Sequence, residues 1–307
     1  MQEIYDLIII GAGPAGLSAS IYASRYKLNH ILLGATIGGQ VNEIRNIENW
    51  PGDISVPGFD LLSRFVEHAK SLGVAPLNES VAEVKKDADG LFEIVTAKSS
   101  YKSRAVIMAM GSEYRKLNIP GEKELTGKGV SYCATCDAMF FRDKIICVVG
   151  GGNAAVTSAI GLTDFASKVY LVYRGDLLPA EPTWLEKMAA NPKIEVIKNT
   201  NIIEIKGKEK VEKVVLDKAY EDQNHLDVSG VFVEIGSNPG VELAERIGVE
   251  VDEQGFVKVK ADMSTNIPGV FAAGDITTGS NKFRQILTAS AEGAVAANGV
   301  YKMLKLK

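Results

Sequence analysis

The sequence has 307 residues, of which 46% are hydrophobic and 23% are charged, as in ordinary folded domains, and its length predicts about two of them. A formal net charge of -4 and the lack of Lys/Arg runs exclude a nucleic-acid-binding surface. Three cysteines exclude a secreted disulfide scaffold and favour a reducing, cytoplasmic location.

The first predicted element is a buried parallel strand at residues 7–10, within the segment YDLIIIGAGPAGLSASIYASRY. Residues 7–24 carry no charge and could be read as a signal or membrane segment by length alone. Acidic Glu3 and Asp6 precede that stretch, however, and glycines interrupt it. The pattern therefore predicts the soluble start of a nucleotide-binding domain, with no membrane association.

The strand leads into the turn GAGPAG and a helix rich in small residues. In such a turn the first glycine permits the tight bend, the second lets the backbone approach a pyrophosphate, and the third lets helix and strand pack closely. The pyrophosphate then lies at the helix N-terminus. The predicted binding residues are Gly11, Gly13, Pro14, Ala15 and Gly16.

A C-x-x-C element, CATCD, places Cys133 and Cys136 two residues apart with Asp137 directly after them. A disulfide that closes so short a loop would restrict the unfolded chain little, so a purely structural clip is disfavoured. In a protein otherwise poor in cysteine, this spacing favours a redox dithiol. For Asp137, proton transfer to and from the sulfurs and a helix N-cap both stay open.

No metal site is predicted at the cysteine pair, because zinc needs two further ligands. Cys147 lies inside an apolar strand pattern and is expected to be a small buried residue. The three histidines, which lack ligand spacing, are His30, His68 and His225.

A second glycine-rich turn follows in KIICVVGGGNAAVTSAIGL, residues 144–162, after a strand predicted at residues 145–149. Two G-x-G-x-x-G/A patterns, each between a strand-like and a helix-like run, are much more specific than one. The residues expected to contact this second dinucleotide are Gly150, Gly152, Asn153, Ala154 and Ala155.

The two halves also close alike, since apolar strand runs end on glycine at residues 105–111 and 231–236, and a further one ends on Gly-Asp at 267–275. The predicted fold is α/β, with two Rossmann-like dinucleotide-binding domains, the second inserted into the first. The outer domain is predicted at 1–113 and 243–307, and the inserted domain at 114–242, with crossings near 115–121 and 237–240.

Two nucleotide sites and one dithiol predict an electron relay. A flavin can exchange electrons both with a nicotinamide and with a disulfide, so the expected order is nicotinamide, flavin, disulfide, external disulfide.

The chain resembles the low-molecular-weight thioredoxin reductases, which are FAD-dependent pyridine nucleotide-disulfide oxidoreductases. The resemblance covers nearly the whole chain. Its motifs, in order, are GAGPAG (11–16), GGQ (38–40), ENWPG (48–52), CATCD (133–137), GGGNAA (150–155), IPGVFAAGD (267–275) and FRQ (283–285).

This resemblance implies FAD in the outer domain, a nicotinamide nucleotide in the inserted domain, and a thioredoxin-like disulfide protein as the partner of a homodimer. It implies that Cys136 faces the flavin, that Cys133 attacks the partner disulfide, that Asp137 is the acid–base group, and that the inserted domain rotates about the two crossings. The further residues implied in FAD binding are Gly39, Gln40, Asn49, Gly111, Gly274, Asp275, Arg284 and Gln285.

One departure from the family concerns the coenzyme. After the strand KVYLVY, the NADPH-dependent members carry several arginines that bind the 2′-phosphate, whereas this chain keeps Arg174 but has Gly175 and Pro179. Two lost charge-assisted contacts predict an NADPH preference weaker by about 2–4 kcal/mol. NADPH, NADH and a different electron donor therefore all stay open.

Three alternatives to a nicotinamide-dependent reductase follow. A flavin dithiol oxidase, or a thioredoxin reductase fed by ferredoxin, would need only a weak or vestigial nicotinamide site. A non-catalytic redox sensor that binds a dinucleotide is the third.

Overall fold

The structure is a computed structural model that describes residues 3–44 and 47–305. Its strands are β1 (Ile4–Ile10), β2 (His30–Gly34), β3 (Leu77–Asn78), β4 (Val81–Lys86), β5 (Phe92–Thr96), β6 (Ser100–Met108), β7 (Ser112–Tyr114), β8 (Val130–Ser131), β9 (Ile145–Val149), β10 (Lys168–Val172), β11 (Ile194–Ile197), β12 (Ile202–Lys206), β13 (Lys213–Tyr220), β14 (Gln223–Asp227), β15 (Gly230–Val233), β16 (Ser237–Pro239) and β17 (Val270–Ala272). Its α-helices are α1 (Pro14–Arg25), α2 (Gly58–Ser71), α3 (Glu122–Leu125), α4 (Ala134–Asp137), α5 (Asn153–Leu162), α6 (Pro182–Ala189), α7 (Glu242–Arg246) and α8 (Ile286–Lys305). Short 3₁₀ helices span Gly39–Glu43, Ala138–Phe141 and Gly279–Lys282.

The chain divides into two compact units. The outer unit comprises Met1–Glu113 with Pro239–Lys307, and the inserted unit comprises Tyr114–Asn238. The chain thus passes between the units at 113–114 and 238–239. The predicted α/β class, with one Rossmann-like domain inserted into another, is confirmed.

The outer unit contains a sheet with the strand order β3-β2-β1-β6-β5-β4, and β17 pairs with β6. Leu7 and Ile9 of β1 face one apolar cluster, and Ile8 and Ile10 face another, because successive side chains point to opposite faces of a sheet. Burial on both faces explains why residues 7–10 of the strand are all apolar. The parallel pairing of β1, β6 and β17 brings their carboxyl ends to one edge of the sheet.

The inserted unit contains a parallel sheet with the order β11-β10-β9-β15-β8 and an antiparallel sheet with the order β12-β13-β14. Residues of β9 again alternate, with Cys147 and Val149 in one cluster and Ile146 and Val148 in the other. Strand β9 lies between β10 and β15, so the turn after it is central in its sheet. Both glycine-rich turns therefore occupy equivalent places in their units.

Among the helices within residues 3–44 and 47–305, none combines the length and the apolar character needed to cross a bilayer.

Candidate functional site

The first glycine-rich turn has the steric features that dinucleotide binding requires. Gly11 has φ +110°, and a Cβ there would lie 2.0 Å from the carbonyl oxygen of Ala109. A Cβ on Gly16 would lie 1.7 Å from the carbonyl oxygen of Gly11, so helix α1 and strand β1 approach too closely for any side chain. A Cβ on Gly13 would meet nothing within 4 Å, which leaves this position open on its outer side. The three glycines thus match the three roles of the motif.

Helix α1 begins at Pro14, a residue that suits the first helical position because its ring fixes φ and its missing N–H removes no helical bond. The N-cap, Gly13, has extended backbone and offers no side-chain capping bond. The first N–H groups of α1 are therefore disposed to bind an anion such as a pyrophosphate. Ala15 packs inward, where a Cβ on Gly274 would lie 3.0 Å from its Cβ.

The loop after β17 carries Gly274 and Asp275 to the same edge of the sheet. Glu292, a buried residue of α8, accepts hydrogen bonds at 2.8 Å from the backbone N–H of Gly274 and from the hydroxyl of Thr277. Desolvation raises the pKa of Asp275, Arg284 opposes this shift, and Glu292 adds to it. A desolvated carboxyl at this edge suits a sugar or ribityl hydroxyl, which could donate a hydrogen bond to it. Sequence reasoning missed Glu292, whose signal is a lone acid on the small-residue face of a helix.

The other predicted FAD-side residues lie in two contacting pairs of segments. The Gln40 amide donates at 2.6 Å to the carbonyl oxygen of Ser112, just after Gly111, which has φ +71°. The Asn49 amide donates at 3.0 Å to the Gln285 side chain. These bonds bring ENWPG together with FRQ, and GGQ together with the start of β7.

Two more of the predicted residues lie close to other segments of the outer unit. Gly39 has φ +62°, and a Cβ there would lie 3.3 Å from the Cα of Gly13, so the GGQ segment borders the first turn. The Arg284 guanidinium lies 5.4 Å from the centre of the Phe256 ring, a cation–π distance.

The second turn repeats the first. Gly150 has φ +142°, and a Cβ there would lie 2.2 Å from the carbonyl oxygen of Glu234. Gly152 is the N-cap of α5 and a Cβ on it would meet nothing within 4 Å, while Ala155 is fully buried at the third position. The N-terminus of α5 thus offers the same kind of anion site as that of α1.

Around the second turn, two residues that sequence reasoning missed occupy the predicted coenzyme site. Asn153 is held by Glu181, because its amide donates to the carboxylate at 2.8 Å and its carbonyl oxygen accepts the Glu181 backbone N–H at 2.7 Å. The ring of Tyr173 lies against two glycines, since a Cβ on Gly151 would come within 2.5 Å of it and a Cβ on Gly175 within 2.8 Å. The remaining predicted residues here, Ala154 and Arg174, are exposed.

The cysteine pair forms a disulfide with its Cα atoms 5.3 Å apart. Cys133 is the N-cap of α4 and is half-buried, whereas Cys136 is exposed. The backbone N–H of Cys136 donates to Sγ of Cys133 at 3.1 Å, and in the reduced state this contact would favour a Cys133 thiolate.

Asp137 and Cys147 differ in their surroundings. Asp137 precedes the 3₁₀ helix Ala138–Phe141, but its side chain makes no capping bond there in the described structure. Cys147 is fully buried, and burial raises the pKa of its thiol, as expected of an unreactive core residue.

Comparisons with known proteins agree with this geometry. The family model of the pyridine nucleotide-disulphide oxidoreductases matches residues 5–293. The thioredoxin reductase of Bacillus subtilis is 41% identical over 304 residues, which cover 97% of this chain and 94% of that protein.

Two solved structures are also similar. The thioredoxin reductase of Lactococcus lactis has a TM-score of 0.92 and 37% identity, covering 97% of this chain and 98% of that one. A ferredoxin-flavin thioredoxin reductase from Clostridium acetobutylicum has a TM-score of 0.55 and 34% identity, with full coverage of both chains at 100%. The chain belongs to the pyridine nucleotide-disulphide oxidoreductase family and, within it, to the low-molecular-weight thioredoxin reductases.

Proposed function

We propose that the protein is a thioredoxin-disulfide reductase, which passes electrons from a reduced nicotinamide nucleotide through FAD to Cys133 and Cys136, and from them to thioredoxin. The observation that carries this proposal is the Cys133–Cys136 disulfide, with exposed Cys136, in a unit that has its own dinucleotide turn, within a chain whose outer unit has another.

FAD is proposed for the outer unit because the turn there fits a pyrophosphate and its edge carries a desolvated carboxyl, Asp275. Bound FAD would supply the chemistry that links a two-electron hydride donor to a disulfide. The chain's part is to bind and orient it, with Gly13 open to the pyrophosphate and Gly274 held in place by Glu292.

The exchange with thioredoxin is balanced within the two proteins. A Cys133 thiolate attacks one sulfur of the thioredoxin disulfide and forms a mixed disulfide while the other thioredoxin sulfur leaves as a thiolate. The Cys136 thiolate then attacks Sγ of Cys133, which restores the Cys133–Cys136 disulfide and releases reduced thioredoxin. Asp137 is proposed to deliver and remove the protons of these thiolates.

The N–H contact from Cys136 to Sγ of Cys133 supports Cys133 as the attacking group, because it favours the thiolate at that sulfur. Cysteine trapping tests this order. Cys136→Ser should accumulate a mixed disulfide with thioredoxin through Cys133, whereas Cys133→Ser should not. The reverse result would exchange the two roles.

The proposed function is tested by measuring thioredoxin reduction by the flavin-loaded protein. We expect Cys133→Ser and Cys136→Ser each to abolish thioredoxin reduction while the flavin stays bound, and Cys147→Ser, the matched control at a buried cysteine, to keep it. Native-rate turnover by either of the first two variants would disprove the relay.

We propose that the protein prefers NADPH over NADH only weakly. Of the arginines that the family carries in the segment at residues 173–181, this chain keeps Arg174, so its preference for NADPH should be about 2–4 kcal/mol smaller than three arginines would give. Anaerobic stopped-flow reduction, followed at the flavin band with each coenzyme in turn, measures this preference.

A second candidate is a thioredoxin reductase whose electrons come from ferredoxin. It is favoured by Gly175 and Pro179, which replace phosphate-binding arginines, and by the similarity to the ferredoxin-flavin enzyme of Clostridium acetobutylicum. It is the weaker candidate because Gly150, Gly152 and Ala155 have the steric features expected of a dinucleotide-binding turn. This candidate would be favoured if neither NADPH nor NADH reduced the flavin and ferredoxin reduced it rapidly. Rapid reaction of the dithiol-reduced enzyme with oxygen would instead indicate a flavin dithiol oxidase.

A homodimer in the cytoplasm completes the proposal. The low cysteine content and a thioredoxin partner suit a reducing compartment. Analytical ultracentrifugation of the flavin-loaded protein, at concentrations down to the nanomolar range, tests the dimer.

A further inference from the structure

A buried carboxylate stands close in sequence to the redox cysteines. Glu122, at the start of α3, is only 3% exposed. It accepts three hydrogen bonds: from the backbone N–H groups of Leu117 and Asn118, at 2.8 and 2.6 Å, and from the hydroxyl of Tyr132, at 2.8 Å. A buried carboxyl group is tolerated when hydrogen bonds replace its lost hydration, and these three donors do so.

The two amides belong to the segment that follows β7, the strand at which the chain first reaches the inserted unit. Asn118 has φ +56°, a conformation that costs free energy in a residue with a side chain, and the carboxylate holds this turn closed. Glu122 therefore stabilises the conformation of the segment that follows β7, where the chain enters the inserted unit.

The third donor, Tyr132, directly precedes Cys133. Its ring stacks on that of Tyr114, with the ring centres 6.2 Å apart. Partial burial, and then the hydrogen bond to Glu122, raise the pKa of Tyr132 to about 12, so that its hydroxyl keeps its proton at neutral pH. Ser131 completes the local structure: its hydroxyl accepts the Cys133 N–H at 3.1 Å and donates to the Cys133 carbonyl oxygen at 3.2 Å.

We propose that Glu122 and Tyr132 are positioning residues for the Cys133–Cys136 pair: their hydrogen bond ties the chain immediately before Cys133 to the segment that carries the first connection into the inserted unit. The inference rests on the proposed function in one respect only, that the pair cycles between disulfide and dithiol.

The hydrogen bond between Tyr132 and Glu122 should affect the equilibrium between the dithiol and the disulfide. Reduction by glutathione consumes two glutathione thiols, breaks the Cys133–Cys136 bond, and yields two protein thiols and one glutathione disulfide. Breaking the disulfide allows the cysteine loop more conformations, and the hydrogen bond from Tyr132 to Glu122 restricts them. Without this hydrogen bond the dithiol gains more conformational entropy than the disulfide, so the equilibrium shifts towards the dithiol.

The chain offers a matched control for removal of the Tyr132 hydroxyl. Tyr220 of β13 also donates to a glutamate, Glu195, and that hydrogen bond, followed by burial, also raises the pKa of Tyr220 to about 12. Tyr220→Phe therefore removes the same kind of bond in the same unit, on a strand of the antiparallel sheet that does not carry the cysteines.

The test equilibrates the flavin-loaded protein in glutathione buffers of graded ratio, quenches it with acid, alkylates it and counts the modified cysteines by mass spectrometry. We expect Tyr132→Phe to shift the equilibrium about three- to tenfold towards the dithiol, the range expected for one hydrogen bond, and Tyr220→Phe to leave it unchanged. An unchanged equilibrium in Tyr132→Phe, or an equal shift in both variants, overturns the inference.

A second variant, Glu122→Gln, extends the test, and the small Tyr132→Phe change keeps the inference falsifiable if this variant does not fold. A folded Glu122→Gln protein should shift the equilibrium in the same direction, and a shift towards the disulfide would contradict the proposal. Thioredoxin turnover by the native protein is measured separately. Its failure beside a Tyr132-dependent equilibrium would remove the proposed function and leave the positioning role in place.

Discussion

The two glycine-rich turns of this chain solve the same steric problem with one difference. In both, the first glycine has positive φ and lies against a carbonyl of the chain beyond a neighbouring strand, and the second is open on its outer side. At the third position the outer unit has Gly16, whose missing Cβ leaves room for the Gly11 carbonyl, while the inserted unit has Ala155 with its methyl group buried. The turn geometry is thus general, and the spacing of helix and strand is adjusted unit by unit.

The larger difference lies outside the turns. The edge of the outer sheet carries Asp275, whose desolvated carboxyl suits a hydroxyl group of a cofactor, and buried Glu292 holds the neighbouring Gly274. Beside the second turn lie Tyr173, Glu181 and Arg174, a set with only one basic group. The steric features that nucleotide binding needs therefore lie in the turns, whereas the proposed choice among nucleotides rests on side chains outside the motif.

The largest effect is expected for Gly16→Ala. A Cβ 1.7 Å from the Gly11 carbonyl oxygen must displace backbone, so the free energy of unfolding should fall by about 1–3 kcal/mol and the protein should lose its flavin. Urea unfolding and the absorbance of the purified protein measure both. The reciprocal change in the other unit, Ala155→Gly, should keep the flavin; flavin loss in that variant as well would contradict the comparison.

A selective effect is expected at the open glycines. Gly13→Ala and Gly152→Ala place a methyl group in free space, so each protein should fold as before but lose about a hundredfold in affinity for one nucleotide, as the pyrophosphate can no longer approach the backbone. Gly13→Ala should weaken FAD alone and Gly152→Ala the nicotinamide alone, as measured by calorimetric titration. Gly161→Ala, a helix-interior control with equal space, should weaken neither.

A smaller effect is expected from restoring an arginine. Gly175→Arg alone should do little, because its Cβ would collide with the Tyr173 ring at 2.8 Å. Combined with Tyr173→Ala, it should raise the preference for NADPH over NADH about tenfold, the value of one modest charge-assisted bond. The ratio of the two dissociation constants measures this, and an equal gain in the single and double variants would show that Tyr173 does not control the site.

The sequence predicted what depends on local pattern. Gly11, Gly16 and Gly150 could be assigned from the motif because positive φ and close approach permit no other residue there. It did not predict Glu292 or Glu122, since a buried carboxylate becomes significant only when folding brings distant or unpatterned amides to it. The Tyr173 ring was missed for the same reason: nothing near it in the sequence indicates that it lies against Gly151.

The smallest effects are expected for Asp275. Its substitution separates the effect of this carboxyl group on the free energy of unfolding from its effect on FAD affinity. Desolvation and Glu292 raise the pKa of this carboxyl, against the opposing effect of Arg284, from an ordinary value of 3.8. Between the unfolded and the folded pKa the folded apoprotein binds more protons than the unfolded chain, so its stability falls as pH rises through that range. Asp275→Asn removes this loss, and urea titrations of the apoprotein at several pH values should show a flatter profile for the variant.

The same change should lower the affinity for FAD about fivefold, since an amide is a poorer acceptor than a carboxylate for a cofactor hydroxyl. Equal pH profiles for variant and native apoprotein would mean that Asp275 keeps its ordinary pKa, and would contradict the desolvation of this carboxyl group.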